Sequence, residues 1–231
     1  MARAVSGFMP RTARFVVPGV TLHIVQRGHD RHACFFEEAD YRAYLGYLTE
    51  FALKYGCSVH AYCLMTNHVH LLLTPQAPDS CAKLMKNLGQ NHVQRINSRR
   101  GRSGTLWEGR FWSCPVTTER YVLACYRYVE LNPPRAGMVE HPSEYPWSSY
   151  RDNVRGEPGS FLDPHPVYLA IASERTARAT EYRTLCHVPL EPEVIDEIRK
   201  ATRGGYAVGS PRRPRGRPRP AVMRKIGSVP I

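Results

Sequence analysis

The chain has 231 residues, 42% hydrophobic and 23% charged, enough to bury a sizeable core as one large domain with an appendage. Its formal net charge is +12, and no stretch has the length and apolarity of a membrane span or a signal peptide, so a soluble cytoplasmic protein with a polyanionic partner and no membrane is expected. Seven cysteines without a Cys-x-x-Cys pair argue against a disulfide framework and a structural zinc site, and read as buried thiols.

Val20 to Arg27 is rich in β-branched residues and stops at Gly28, which predicts a first strand. Glu37 to Tyr55 carries Tyr41, Tyr44, Leu45, Leu48 and Phe51 at helical spacing and ends at Gly56. Cys57 to Met65 reads as a second strand, Thr66-Asn67 as a tight turn, and His68 to Thr74 as a third strand before Pro75. Ser80 is the expected cap of a second helix running to about Arg99, and Gly101 to Gly104 breaks it. Phe111 to Thr117 predicts a fourth strand; Thr118 then caps a helix from Glu119 to about Leu131, closed by Asn132-Pro133-Pro134. This order, strand-helix-strand-strand-helix-strand, is the split βαβ, ferredoxin-like plan of an α+β protein with an antiparallel sheet and one added helix. Residues 1–155 are expected to form that domain. Residues 156–203 follow as a helical extension (Tyr168 to Cys186, Pro192 to Thr202), and 204–231 as a basic tail, disordered unless bound.

Chemistry concentrates at His68-Val69-His70. Side chains alternate along a strand, so the two imidazoles share one face while Val69 and Leu71 bury behind them. Such a pair is half of a divalent metal site, although alone it is met more often as two structural histidines. His23 and His60, also on strands, suit packed or supporting roles. In the third helix Val122, Tyr126 and Val129 form the core stripe, which leaves Tyr128 free to face the sheet and its histidines.

The motifs Gln26-Arg27-Gly28, Met65 to Leu72, Gly104 to Phe111, Tyr126 to Gly137 and Trp147 to Tyr150 occur in order across residues 15–155. Together they resemble the REP-associated tyrosine transposases, within the single-tyrosine HUH nucleases of insertion-sequence-200-like elements. That resemblance implies a single-stranded DNA endonuclease and strand transferase acting at repeat hairpins. Tyr128 would be the nucleophile of a 5′-phosphotyrosine intermediate, and His68, His70 and Asn132 the ligands of a divalent metal, Mg2+ or Mn2+. The general base for Tyr128 is unassigned, and both a monomer and a homodimer fit. The alternatives are a non-catalytic DNA-binding regulator derived from a transposase, and a metal hydrolase that uses water.

The basic charge is clustered. Residues 199–231 hold ten Lys/Arg and no acid, and residues 83–135 hold ten against three acids. Arg99, Arg100, Arg102, Trp107 and Arg110 interleave cations with an aromatic face and are the expected single-strand contacts, with one of Phe111 and Trp112 packed in the core. In the tail, Arg215 and Arg217 within Pro-Arg-Gly-Arg-Pro resemble an AT-hook for AT-rich duplex; a generic basic arm is the equal alternative.

Overall fold

The computed structural model describes residues 16–155 and 161–210. Four strands, β1 (Thr21–Arg27), β2 (Cys57–Met65), β3 (His68–Pro75) and β4 (Trp112–Val116), form an antiparallel sheet in the order β2-β3-β1-β4. Two helices, α1 (Glu38–Tyr55) and α2 (Ser80–Arg100), connect them, which gives the expected α+β, ferredoxin-like architecture. Pro115 lacks a backbone N–H and sits in β4 at the sheet edge, where a missing ladder bond is least costly.

Alternation along the strands builds two cores. Leu22 and Ile24 of β1 and Val69, Leu71 and Leu73 of β3 bury against α1 and α2. On the opposite face Leu72, Cys63 and Met65 pack against the third helix, α3 (Glu119–Glu130). Thr118 caps α3 by accepting a bond from the Tyr121 N–H at 3.4 Å, and its stripe of Val122, Tyr126 and Val129 is buried against the sheet as expected.

The chain then turns through α4 (Asn132–Arg135) into α5 (Tyr150–Arg155), α6 (Pro166–Leu169), α7 (Arg175–His187) and α8 (Pro192–Gly204). The single helix expected from Tyr168 to Cys186 is broken between α6 and α7, where Arg178 Nη1 ties the carbonyl of Ala172 at 2.7 Å. The extension shares the second core: Tyr168, Tyr182, Val194, Ile198 and Ala201 join α3 there. Packing also continues past residue 204, where the tail was expected to begin. Val208 is buried and its N–H reaches the Pro115 carbonyl at 3.0 Å, covering the edge of β4. Arg215, Arg217 and the AT-hook-like run lie outside the described residues. The seven cysteines are free, six of them buried, and among the described residues no helix is long and apolar enough to cross a membrane.

Candidate active site

The β2–β3 turn is clamped from one side. Backbone N–H groups of Cys34 and Phe35 reach the Thr66 carbonyl at 2.9 and 3.2 Å, and the Gly28 N–H reaches the Asn67 carbonyl at 2.8 Å. Gly28 is required by that approach, since a Cβ there would lie 2.3 Å from the His32 carbonyl oxygen. The turn ends at His68, so the Gln-Arg-Gly motif of β1 sets where the histidine pair begins. Pairing of Arg27 with His68 and of Val25 with His70 then carries both imidazoles onto the face opposite α1 and α2.

The rings of His68 and His70 lie 4.9 Å apart between centroids. The ring of Tyr128 stands edge-on to His70 at 5.6 Å and to His23 at 5.4 Å. Helix α3 therefore turns Tyr128 toward the histidines while Tyr126 enters the core, as the stripe predicts. These groups line a pocket of about 260 Å³ together with Arg27, Trp112, Asn132, Arg199, Thr202 and Arg203.

Electrostatics in the pocket favour an anion. Burial, aided by the Arg135 guanidinium, lowers His23 to about 3. Burial with Arg27 and Arg135 nearby lowers His68 to about 4, and burial holds His70 well below the usual range. All three imidazoles are therefore neutral near pH 7 and keep a lone pair, among cations and with no carboxylate in the lining.

A divalent ion fits the pair in part. His68 and His70 each engage a partner through Nδ1, Asn67 at 2.6 Å and His23 at 3.0 Å, which leaves Nε2 of each as the candidate ligand. Among the described residues no group of three His, Cys, Asp or Glu forms a ligand set. Remaining positions would fall to Asn132, water or phosphate oxygens. Asn132 lines the pocket, but its Oδ1 accepts from Arg135 Nη2 at 2.7 Å and its amide donates to the Tyr128 and Val129 carbonyls at 3.1 and 3.4 Å.

The expected DNA contacts separate. Arg99 pairs with Glu37, Arg100 stacks over Phe36 at 4.0 Å, Arg102 reaches the Thr105 carbonyl at 3.5 Å, and all three are exposed at the C-terminal end of α2. Arg110 is exposed in a groove along α2. Trp107 corrects the expectation of a stacking platform: it is 6% exposed in the core, with Nε1 donating to the Gly89 carbonyl at 3.3 Å. Phe111 is buried too, and the half-buried indole is Trp112, with the Arg27 guanidinium 5.1 Å from its ring centroid. Arg27, Arg135, Arg199, Thr202 and Arg203 went unread as site residues, although Arg27 lies inside the Gln-Arg-Gly motif and Arg135 inside the motif from Tyr126 to Gly137.

The sheet order and the two helices packed behind it define a ferredoxin-like protein with a cationic pocket against the other sheet face. The model of the family described as transposase IS200 like matches residues 16–132, and the chain belongs to that family of DNA-processing enzymes, which generally use a divalent metal. A Haemophilus influenzae protein named among the REP-associated tyrosine transposases is 26% identical over 128 residues, covering 48% of this chain and 73% of that protein. The Escherichia coli K12 REP-associated tyrosine transposase is 22% identical over 100 residues, covering 42% and 58%. Among solved structures, a REP-associated tyrosine transposase bound to a REP hairpin superposes with a TM-score of 0.56 at 16% identity, over 69% of this chain and 93% of that one.

Proposed function

We propose that this transposase is a metal-dependent single-stranded DNA endonuclease and strand transferase that cuts at repeat hairpins through a 5′-phosphotyrosine on Tyr128. The observation that carries the reading is the edge-on seating of Tyr128 against His70 in a pocket rimmed by arginines. Arg27, Arg199 and Arg203 gather the scissile phosphate, and the half-buried Trp112 offers a face for a flanking base. The Tyr128 oxygen attacks phosphorus and gives its phenolic proton to solvent; the bond from phosphorus to the 3′ oxygen breaks, and that oxygen takes up a proton from solvent to leave as a 3′ hydroxyl. The phosphotyrosine keeps the bond energy, so a later 3′ hydroxyl reverses the step without ATP.

Nε2 of His68 and of His70 would hold Mg2+ or Mn2+, which would neutralise charge on a non-bridging phosphate oxygen. Asn132 would supply a third ligand if an arriving phosphate drew Arg135 away from its oxygen. The hairpin bound in the solved relative supports a hairpin substrate here.

The test is incubation of 5′-labelled and 3′-labelled hairpin DNA with the protein and Mn2+ or Mg2+, followed by denaturing electrophoresis. A stable protein–DNA adduct is expected, absent in Tyr128→Phe. Cleavage that survives in Tyr128→Phe assigns the attack to water, and binding without cleavage in the intact protein assigns it a regulatory role; either overturns the reading.

A further inference from the structure

A neutral imidazole carries one N–H, so the direction of a single hydrogen bond decides what both of its nitrogens do. Behind His70 a file of such bonds runs through β1 into α8. The Thr202 hydroxyl lies 2.7 Å from the Ile198 carbonyl oxygen, which has no hydrogen to offer, so the Thr202 hydrogen points there. The same hydroxyl oxygen lies 2.8 Å from Nδ1 of His23, and with its hydrogen committed it accepts from an Nδ1–H. Its other lone pair faces the Cys114 thiol at 3.2 Å, which completes one bond given and two accepted.

Nε2 of His23 is then a bare acceptor 3.0 Å from Nδ1 of His70, and the hydrogen between them belongs to His70. The two rings lie within 8° of parallel with centroids 5.3 Å apart, a geometry compatible with an in-plane bond. Nε2 of His70 is left as a lone pair. Reversing the file would put a hydrogen on that nitrogen and leave two oxygens 2.7 Å apart with none between them. His68 is set alike from the other side: Asn67 gives its amide hydrogens to the Arg31 carbonyl at 2.9 Å, so its oxygen accepts from Nδ1–H of His68 at 2.6 Å.

We infer that Thr202, acting through His23, is a positioning residue that keeps Nε2 of His70 free to ligate the metal, so that α8 completes the site from outside the residues matched by the family model. The inference rests on the reading of His68 and His70 as metal ligands. His23 and Thr202 are 1% and 3% exposed, so water does not readily replace a missing partner.

Two measurements on the full chain test it, neither of them activity. Long-range 1H–15N correlation in histidine-labelled protein without metal is expected to report Nδ1–H and a bare Nε2 for His70. Titration with Mn2+ followed by paramagnetic resonance is expected to show affinity weakened about 10- to 100-fold in Thr202→Val, which matches threonine in shape but lacks the hydroxyl, and recovered in Thr202→Ser. A wild-type His70 protonated at Nε2 overturns the inference whether or not the valine variant folds. So does a folded Thr202→Val protein with unchanged Mn2+ affinity. A wild-type protein with the stated tautomer that binds no Mn2+ overturns the metal reading itself, and with it the role of Thr202.

Discussion

Asn132 is held at three points, its oxygen by Arg135 and its amide by two carbonyls at the end of α3, so as folded it closes a helix and keeps Arg135 in place. Service to a metal would require release of that oxygen, for which an incoming phosphate competes through Arg135. Asn132→Ala is therefore expected to leave Mn2+ affinity nearly unchanged without DNA. With uncleaved hairpin bound to a Tyr128→Phe background, the same change should weaken Mn2+ binding about 10-fold, and an equal loss in both titrations would contradict the coupling. At this scale the histidine pair was open to reading because strand alternation is strictly local, and Val69 and Leu71 do bury behind it. Trp107 was not, because its flanking arginines look like a nucleic-acid face while its burial depends on a bridge to Gly28 and a bond to Gly89 from distant segments.

The helix that carries Tyr128 also carries Glu130, fully buried and bonded by Ser149 at 2.5 Å, Asn153 at 2.5 Å and Tyr182 at 2.6 Å. It ties α3 to α5 and α7 two residues past Tyr128. Burial raises its pKa from 4.5 to about 7, against the pull of its three donors. A raised carboxyl stabilises the fold fully below about 4.5, where both states hold the proton. Between about 4.5 and 7 the unfolded chain ionises first, and stability is lost by at most about 1.4 kcal/mol per pH unit. Glu130→Gln keeps an acceptor for Ser149 and Asn153 and reverses the bond to Tyr182, whose hydroxyl then accepts from the amide, so its denaturant midpoint should change less than the wild type's between pH 5 and pH 8. Equal pH dependence would show that Glu130 is ionised throughout. Strand and helix order was readable from periodicity and from Thr118, Gly56 and Gly28, whereas nothing local marks Glu130 as buried, because its partners Ser149, Asn153 and Tyr182 come from distant segments.

Over the whole molecule, the charge of +12 is concentrated rather than spread, and the structure brings Arg199 and Arg203 of α8 beside Arg27 at the pocket. Hairpin affinity should fall steeply with salt, and Arg199→Gln and Arg203→Gln should each flatten the slope of log K against log salt by about one, read by fluorescence anisotropy. An unchanged slope would place the phosphate path elsewhere, with the exposed arginines at the C-terminal end of α2 as the next candidates. The basic block from residue 199 was visible as composition. That its first turns pack on β4 and β1 and reach the histidines was not, because docking of α8 is decided by Val194, Ile198 and Ala201 meeting a core assembled from remote segments.

Trypsin cuts after Arg120, Arg127 and Arg135, so Tyr121 and Tyr126 fall on one peptide and Tyr128 on the next. Digestion of the adduct formed with hairpin DNA and Mn2+, nuclease trimming and mass spectrometry then read the nucleophile directly. The nucleotide stub is expected on the peptide of residues 128–135, linked through the Tyr128 oxygen to a 5′ phosphate. A stub on residues 121–127, or DNA cut under the same conditions with no peptide modified, would contradict the account.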